Sequence, residues 1–171
     1  MGYEVAAGLG VALADPECEP VVMVGDGSWL MMSSDIVTAI QEGASFTVVL
    51  IDNGGYGSIG ALSASLGSDR FGTQRTNRAT GATVAVDFVA GARSLGASAQ
   101  HCATVEDLAA ALRQPRGDVP RVFVVSTDTQ RSVPGYDSWW DVPVAEVSDM
   151  QSVRDARSAY DHERTREQWL V

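Results

Sequence analysis

Val21-Val22-Met23-Val24-Gly25-Asp26-Gly27-Ser28 and its companion, Phe46-Thr47-Val48-Val49-Leu50-Ile51-Asp52-Asn53-Gly54-Gly55-Tyr56-Gly57, decide the fold. Each is a short apolar, β-branched run that stops at glycines flanking an oxygen-bearing side chain, and a helical pattern lies between them. The order strand, turn, helix, strand, turn describes two parallel strands whose turns share one sheet edge. Asn53 follows Asp26 by 27 positions, so adjacent parallel strands bring the two together at the carboxyl ends, where open α/β sheets bind ligands.

Those residue types suit a metal and a phosphate. Magnesium is a hard cation that takes near-octahedral oxygen ligands, commonly one or two from protein and the rest from phosphate and water. Asp26 supplies charge and Asn53 a neutral carbonyl. Gly25 and Gly27 carry no side chain to hold a phosphate away from the backbone, and the amides of Gly27, Ser28 and Trp29 open the next helix at its anion-attracting end. Gly54 and Gly55 let the chain bend so that a backbone carbonyl can join as a third protein ligand.

Working outward, Tyr3–Ala14 is an Ala-, Val- and Leu-rich helical pattern with small residues suited to close packing on a sheet, stopped by Asp15-Pro16. Leu30–Glu42 is a second helical pattern, with Ser33 and Ser34 as candidate caps in its early turn and Gly43 as its stop. The uncharged run Phe46–Ile51 is expected to be buried on both faces of a parallel sheet. Gly54–Thr80, rich in Gly, Ser, Thr and Asn and carrying Arg70, Arg75 and Arg78, is expected to be irregular, either an active-site loop or surface coil. Two helices follow, Asp87–Leu95 and Thr104–Arg113, the latter capped by Thr104, with a short strand at Ser98–His101 between them. Arg121–Ser126 is the last clear strand, Pro134 and Pro143 punctuate an extended tail with Trp139-Trp140 as an anchoring pair, and Asp149–Leu170 is a helical pattern of mixed charge, most simply solvated, with Tyr160, Trp169 and Leu170 docked on a neighbouring domain as the alternative. The division expected is a binding domain over residues 1–130 and a tail with helix over 131–171, packed on that domain or on a partner.

The chain has 171 residues, enough for one substantial core. An apolar fraction of 45% and a charged fraction of 20% are ordinary for a globular protein. A net charge of −10 with no Lys/Arg cluster speaks against a nucleic-acid surface. Cys18 and Cys102 are too few for a disulfide framework or zinc site and are expected to be reduced thiols. No apolar run approaches the roughly 20 residues of a membrane span, so a cytoplasmic protein without a membrane partner is expected.

Gly25-Asp26-Gly27 followed by the Asp52-Asn53-Gly54-Gly55-Tyr56-Gly57 turn resembles the metal and diphosphate signature of thiamine-diphosphate-dependent enzymes. Met1–Gly10 and Asp87–Ala97 fit the diphosphate-binding domain of the same family, and the tail Val133–Ser148 resembles the end of its trihydroxycyclohexane-1,2-dione hydrolases, the ring-opening members in myo-inositol catabolism. The resemblance implies an α/β fold of three layers, a mostly parallel sheet between helices. It implies Mg2+ held by Asp26, Asn53 and the Gly55 carbonyl, and thiamine diphosphate held by Gly25, Gly27, Ser28, Trp29, Gly54 and Tyr56. Met1 falls where the family places the large apolar residue that props the thiazolium ring. The implied substrate is a cyclic polyol dione, cleaved hydrolytically between its carbonyl carbons. The family activates its cofactor with a glutamate on a separate pyrimidine-binding domain, usually across a subunit interface; neither Glu4 nor Glu17 has that context. The expectation is therefore a C-terminal portion of a homo-oligomeric enzyme, inactive alone, with its catalytic glutamate on another domain or subunit.

Other readings remain beside this one. Acetolactate-synthase-like and decarboxylating relatives share the metal motif, and a non-catalytic binding module would retain it. Gly55-Tyr56-Gly57-Ser58-Ile59-Gly60 also spells the Gly-x-Gly-x-x-Gly of a dinucleotide-binding turn, which requires a helix opening there and a strand ending in an acidic residue about 20 positions on. His101 and His162 have no ligand partners nearby in sequence, and Ser28 lacks the surroundings of a nucleophile elbow.

Overall fold

The computed structural model describes residues 1–128, 131 and 141–167. Expectations concerning Pro134, Trp139, Trp140, Trp169 and Leu170 fall outside the described residues. The chain forms two compact units, Met1–Tyr56 with Arg75–Thr129 and Gly57–Gln74 with Gln130–Val171.

The first unit is an α/β layer structure on a four-stranded, all-parallel sheet. Its elements are α1 (Glu4–Ala14), β1 (Val21–Gly25), α2 (Asp26–Met31), α3 (Asp35–Gln41), β2 (Thr47–Asp52), α5 (Phe88–Ser94), β3 (Ser98–His101), α6 (Val105–Leu112) and β4 (Arg121–Ser126). The strand order is β1-β2-β4-β3. Register aligns Val22, Val48, Val122 and Ala99 in one row and Met23, Val49, Phe123 and Gln100 in the next, so alternate rows face opposite sides. The first face carries the main core, where Val5, Leu9, Ile36, Phe46, Phe88 and Ala92 close over Val22, Val48 and Val122. Close approach of α1 depends on Gly8, where a Cβ would overlap Val22 Cγ2. On the other face α6 covers Phe123 through Ala111 and Leu108, while Met23 remains 66% exposed on edge strand β1. Thr104 caps α6 in a reciprocal box with Asp107.

Two sequence expectations change here. The pattern read as one helix over Leu30–Glu42 is two: α2 begins at Asp26, directly off β1, and α3 begins after Ser34. Ser34 holds the N-cap position of α3 without a side-chain cap bond. The apolar period could not locate the break, since Met31, Met32 and Leu30 are all about half exposed and obey no buried face.

The second unit holds α4 (Gly57–Ser65) and α7 (Gln151–Arg164). The stretch expected to be irregular thus contains a helix, missed because Gly-Ser-Ile-Gly-Ala-Leu-Ser-Ala-Ser has small residues on every side and no apolar stripe. The helix at Gly57 meets one demand of the dinucleotide-binding reading. The topology refuses the others: β4, and not the next strand in sequence, lies beside β2, and β3 ends in His101. α7 is not simply solvated, because Val153 and Tyr160 are buried with Val144 and pack against Leu66 and Met150. The Tyr160 hydroxyl donates to Asp141 Oδ1 at 2.7 Å.

Candidate functional site

Parallel pairing of β1 with β2 sets Gly25 opposite Ile51, so both chains leave the sheet at the same edge. Asp26 takes the first position of α2 and is fully buried. Its Oδ1 accepts the Asn53 backbone N–H at 3.4 Å. One corner of the Asn53 carboxamide lies 2.9 Å from Asp26 Oδ1 and 3.0 Å from the Gly55 carbonyl oxygen, and faces only these acceptors. With oxygen at that corner three oxygens converge; with nitrogen there the amide donates to both. Which end points inward is decided by what occupies the corner.

Glycine is required here by conformation and by space. Gly54 and Gly55 take φ of 82° and 135°, a region L side chains rarely adopt. A Cβ on Gly27 would stand 2.6 Å from Tyr56 Cδ1 and 2.9 Å from the Gly55 carbonyl oxygen. The Tyr56 ring therefore lies on the backbone of Gly27, and Gly55 is held against the first turn of α2. Gly25 differs: the nearest atom to a Cβ there is Asn53 Nδ2 at 3.9 Å, ordinary contact, so no neighbour among the described residues demands a glycine.

The other expected site residues are dispersed. Trp29 is 3% exposed and belongs to the main core, so its side chain anchors α2. Ser28 is half-buried in the first turn of α2, and Met1 is 59% exposed ahead of α1.

Sequence reasoning missed Asp52 as a member of this cluster and left Arg75 as one of three loop arginines. Arg75 Nη1 forms an ion pair with Asp26 Oδ2, and Nη2 binds Asp52 Oδ1 at 3.0 Å. Its Nε donates to the Val84 carbonyl at 2.8 Å, its backbone N–H donates to the Gly54 carbonyl at 2.8 Å, and the guanidinium lies 5.1 Å from the centre of the Phe88 ring. Its position beyond a Gly- and Ser-rich stretch carried no signal that it folds back on the strand ends. Burial pushes the Asp26 carboxyl above its ordinary value, against the Asn53 N–H and Arg75, which favour the charged form; Asp52 adds to the rise. Among the described residues no three His, Cys, Asp or Glu side chains cluster as a metal centre.

Residues 1–126 match the family described as thiamine pyrophosphate enzyme, C-terminal TPP binding domain. The chain belongs to this family. The domain is 39% identical to 3D-(3,5/4)-trihydroxycyclohexane-1,2-dione hydrolase 2 of Bacillus cereus and 40% identical to the 3D-(3,5/4)-trihydroxycyclohexane-1,2-dione hydrolase of Bacillus anthracis, over 91% of this chain in both cases. It spans 25% of the length of each of these relatives. Among solved structures, the thiamine diphosphate-dependent 4-hydroxybenzoylformate decarboxylase of Rhodococcus jostii RHA1 superposes with a TM-score of 0.63 at 26% identity, covering 75% of this chain and 23% of that one. Benzoylformate decarboxylase from Polynucleobacter necessarius, 21% identical with a TM-score of 0.63 and matched over 75% of this chain and 24% of its own, shares the fold. This thiamine pyrophosphate domain thus has the four-stranded parallel sheet with flanking helices expected from its sequence. No described helix is long and apolar enough to cross a membrane.

Proposed function

We propose that this chain supplies the metal and diphosphate part of a thiamine diphosphate site, in an enzyme that hydrolyses a carbon–carbon bond of a cyclic 1,2-dione. One observation carries the metal reading: the Asn53 corner lies 2.9 and 3.0 Å from Asp26 Oδ1 and Gly55 O. Magnesium bonded to oxygen at about 2.0–2.1 Å in an octahedron sets neighbouring ligands about 2.8–3.0 Å apart, so Asn53 has the spacing of a ligand adjacent to both Asp26 and Gly55. A cation at that corner turns the Asn53 oxygen inward, and the remaining positions fall to diphosphate and water. Gly25, Gly27, Gly54 and Tyr56 border it, and the first turn of α2 offers the backbone amides of Gly27, Ser28 and Trp29 as donors, with Gly25 leaving room for an approaching anion.

The cofactor, when bound, supplies the carbanion chemistry. The residues of this chain hold its anionic end and fix its direction, and Met1 stands ahead of α1 as the candidate prop for its ring. The cyclic polyol dione is proposed on the identity with the Bacillus hydrolases. A pyrimidine-binding domain or subunit bearing the activating glutamate is the proposed partner in a homo-oligomer. Tyr3, Val11 and Leu13 on and beside α1, and on the opposite face of the sheet Val21 and Met23 of β1, each 47–74% exposed, offer apolar side chains to further polypeptide. The likeness to the Rhodococcus decarboxylase favours a second reading, loss of carbon dioxide from a 2-oxo acid.

Calorimetry of thiamine diphosphate binding in the presence of Mg2+ tests the site. Asp26→Ala should abolish binding, and unchanged affinity sinks the reading. With the upstream domain of a Bacillus hydrolase supplied in trans, ring opening without carbon dioxide release separates the hydrolase from the decarboxylase.

A further inference from the structure

We propose that Arg75 makes divalent-metal binding at this site depend on the diphosphate anion, by neutralising Asp26 through the carboxylate oxygen that does not face the Asn53–Gly55 corner. The inference rests on the metal reading of Asp26 given above. The two oxygens of Asp26 are divided: Oδ1 lies at the corner with Asn53 and Gly55, and Oδ2 pairs with the guanidinium. A cation at the corner therefore does not need to evict Arg75, but it sits one carboxylate away from a fixed positive charge.

The arginine is built in. Its side chain is 13% exposed and is held by Asp26, Asp52, the Val84 carbonyl and the Phe88 ring, while Val84 N–H returns to the Arg75 carbonyl at 2.9 Å and Thr76 bridges to Thr83. These contacts leave the guanidinium little freedom to swing away from an arriving metal. Asp26, Asp52 and Arg75 together carry one net negative charge, half of what a dication needs. In a buried setting that shortfall weighs heavily, because charges there are poorly screened. A diphosphate brings at least two further negative charges to the same corner and reverses the balance, so metal and anion each strengthen the other's binding. Loading then proceeds as a metal–diphosphate pair, and bare metal is held weakly.

The test titrates the full chain with Mn2+, reading free Mn2+ by electron paramagnetic resonance, with and without inorganic pyrophosphate and with the solution complex measured separately. In wild type pyrophosphate should tighten Mn2+ binding. Arg75→Gln should bind bare Mn2+ about tenfold more tightly, within the usual range of coupling between two sites. Arg75→Lys keeps the charge and should return bare Mn2+ affinity toward wild type, and thermal melts establish that both variants fold. Bare Mn2+ binding that is unchanged or weaker in Arg75→Gln overturns the inference, as does Arg75→Lys behaving like Arg75→Gln. Asp26→Asn should lose Mn2+ binding under both conditions; if it binds like wild type, the metal reading itself fails whatever Arg75 does.

Discussion

Gly27→Ala is the smallest change that should damage the site while removing no polar ligand. Its Cβ would stand 2.6 and 2.8 Å from two carbons of the Tyr56 ring and 2.9 Å from the Gly55 carbonyl oxygen, where ordinary contact begins at 3.4 Å. The ring must withdraw by about 0.8 Å and the carbonyl by about 0.5 Å to relieve the overlap. The ring ends a side chain and can turn; the carbonyl belongs to a backbone fixed by the positive φ of Gly54 and Gly55. Overpacking of this kind costs about 1–3 kcal/mol, and a carbonyl displaced by about 0.5 Å exceeds the roughly 0.2 Å that metal–ligand distances tolerate. Denaturant titration should therefore show a loss of about 1–3 kcal/mol, with Mn2+ affinity in the presence of pyrophosphate reduced at least about tenfold, as when a group that orients a metal ligand is lost. Adding Tyr56→Ala should recover most of the stability, because it removes the two closest carbons, but little of the metal affinity, because the carbonyl contact remains. Metal affinity recovered along with stability would refute the claim that Gly27 acts through Gly55.

Three further outcomes follow from the packing. Arg121 binds Glu19 Oε1 at 2.5 Å, Thr47 Oγ1 at 2.8 Å and the Gln114 carbonyl at 2.7 Å. Arg121→Ala should cost about 2 kcal/mol by urea titration, less than an enclosed pair because Glu19 stays 40% exposed. Thr104→Ala removes the cap of α6 and should cost about 1 kcal/mol on thermal or denaturant melts, recovered mostly by Thr104→Ser. The bond to Asp141 holds the Tyr160 phenol above its usual value of 10.0. Folding thus favours the protonated phenol, whose stabilisation is complete below pH 10.0 and lost as pH rises through the raised value. The stability gap between wild type and Tyr160→Phe should be constant at neutral pH and close in alkali; a gap that widens above pH 10.0 refutes the assignment.

What could be read from sequence follows how locally each feature is determined. β1 and β2 were legible because uncharged β-branched runs ending in glycine have few other uses, and β2 is indeed buried along its first four residues. Thr104 was legible because a cap and its acidic partner stand three positions apart in one turn. Asp26 and Asn53 were legible as a pair because parallel pairing fixes where strand ends meet. Arg75 was not, since its partners Asp26 and Asp52 lie 49 and 23 positions upstream across a stretch without a period. Nor was α4, whose small residues give a helix no apolar stripe to announce it.

The same distinction explains the glycines, which letters alone cannot rank. Gly25 and Gly27 flank one aspartate and look equivalent in sequence, yet Gly27 is pressed against Tyr56 and Gly55 while a Cβ on Gly25 would meet Asn53 only at an ordinary 3.9 Å. The chain's own packing accounts for Gly27. Among the described residues no packing accounts for Gly25, and a group approaching from outside the chain is the reading to test. An anion drawn to the first turn of α2 has the chemistry for that role. On this argument Gly25→Ala should leave stability within about 0.5 kcal/mol, as at sites free of steric conflict, while weakening pyrophosphate binding in the presence of Mn2+. Calorimetry of the two glycine variants side by side decides it: if Gly25→Ala binds pyrophosphate as tightly as wild type, the backbone at Gly25 is not where the diphosphate comes in.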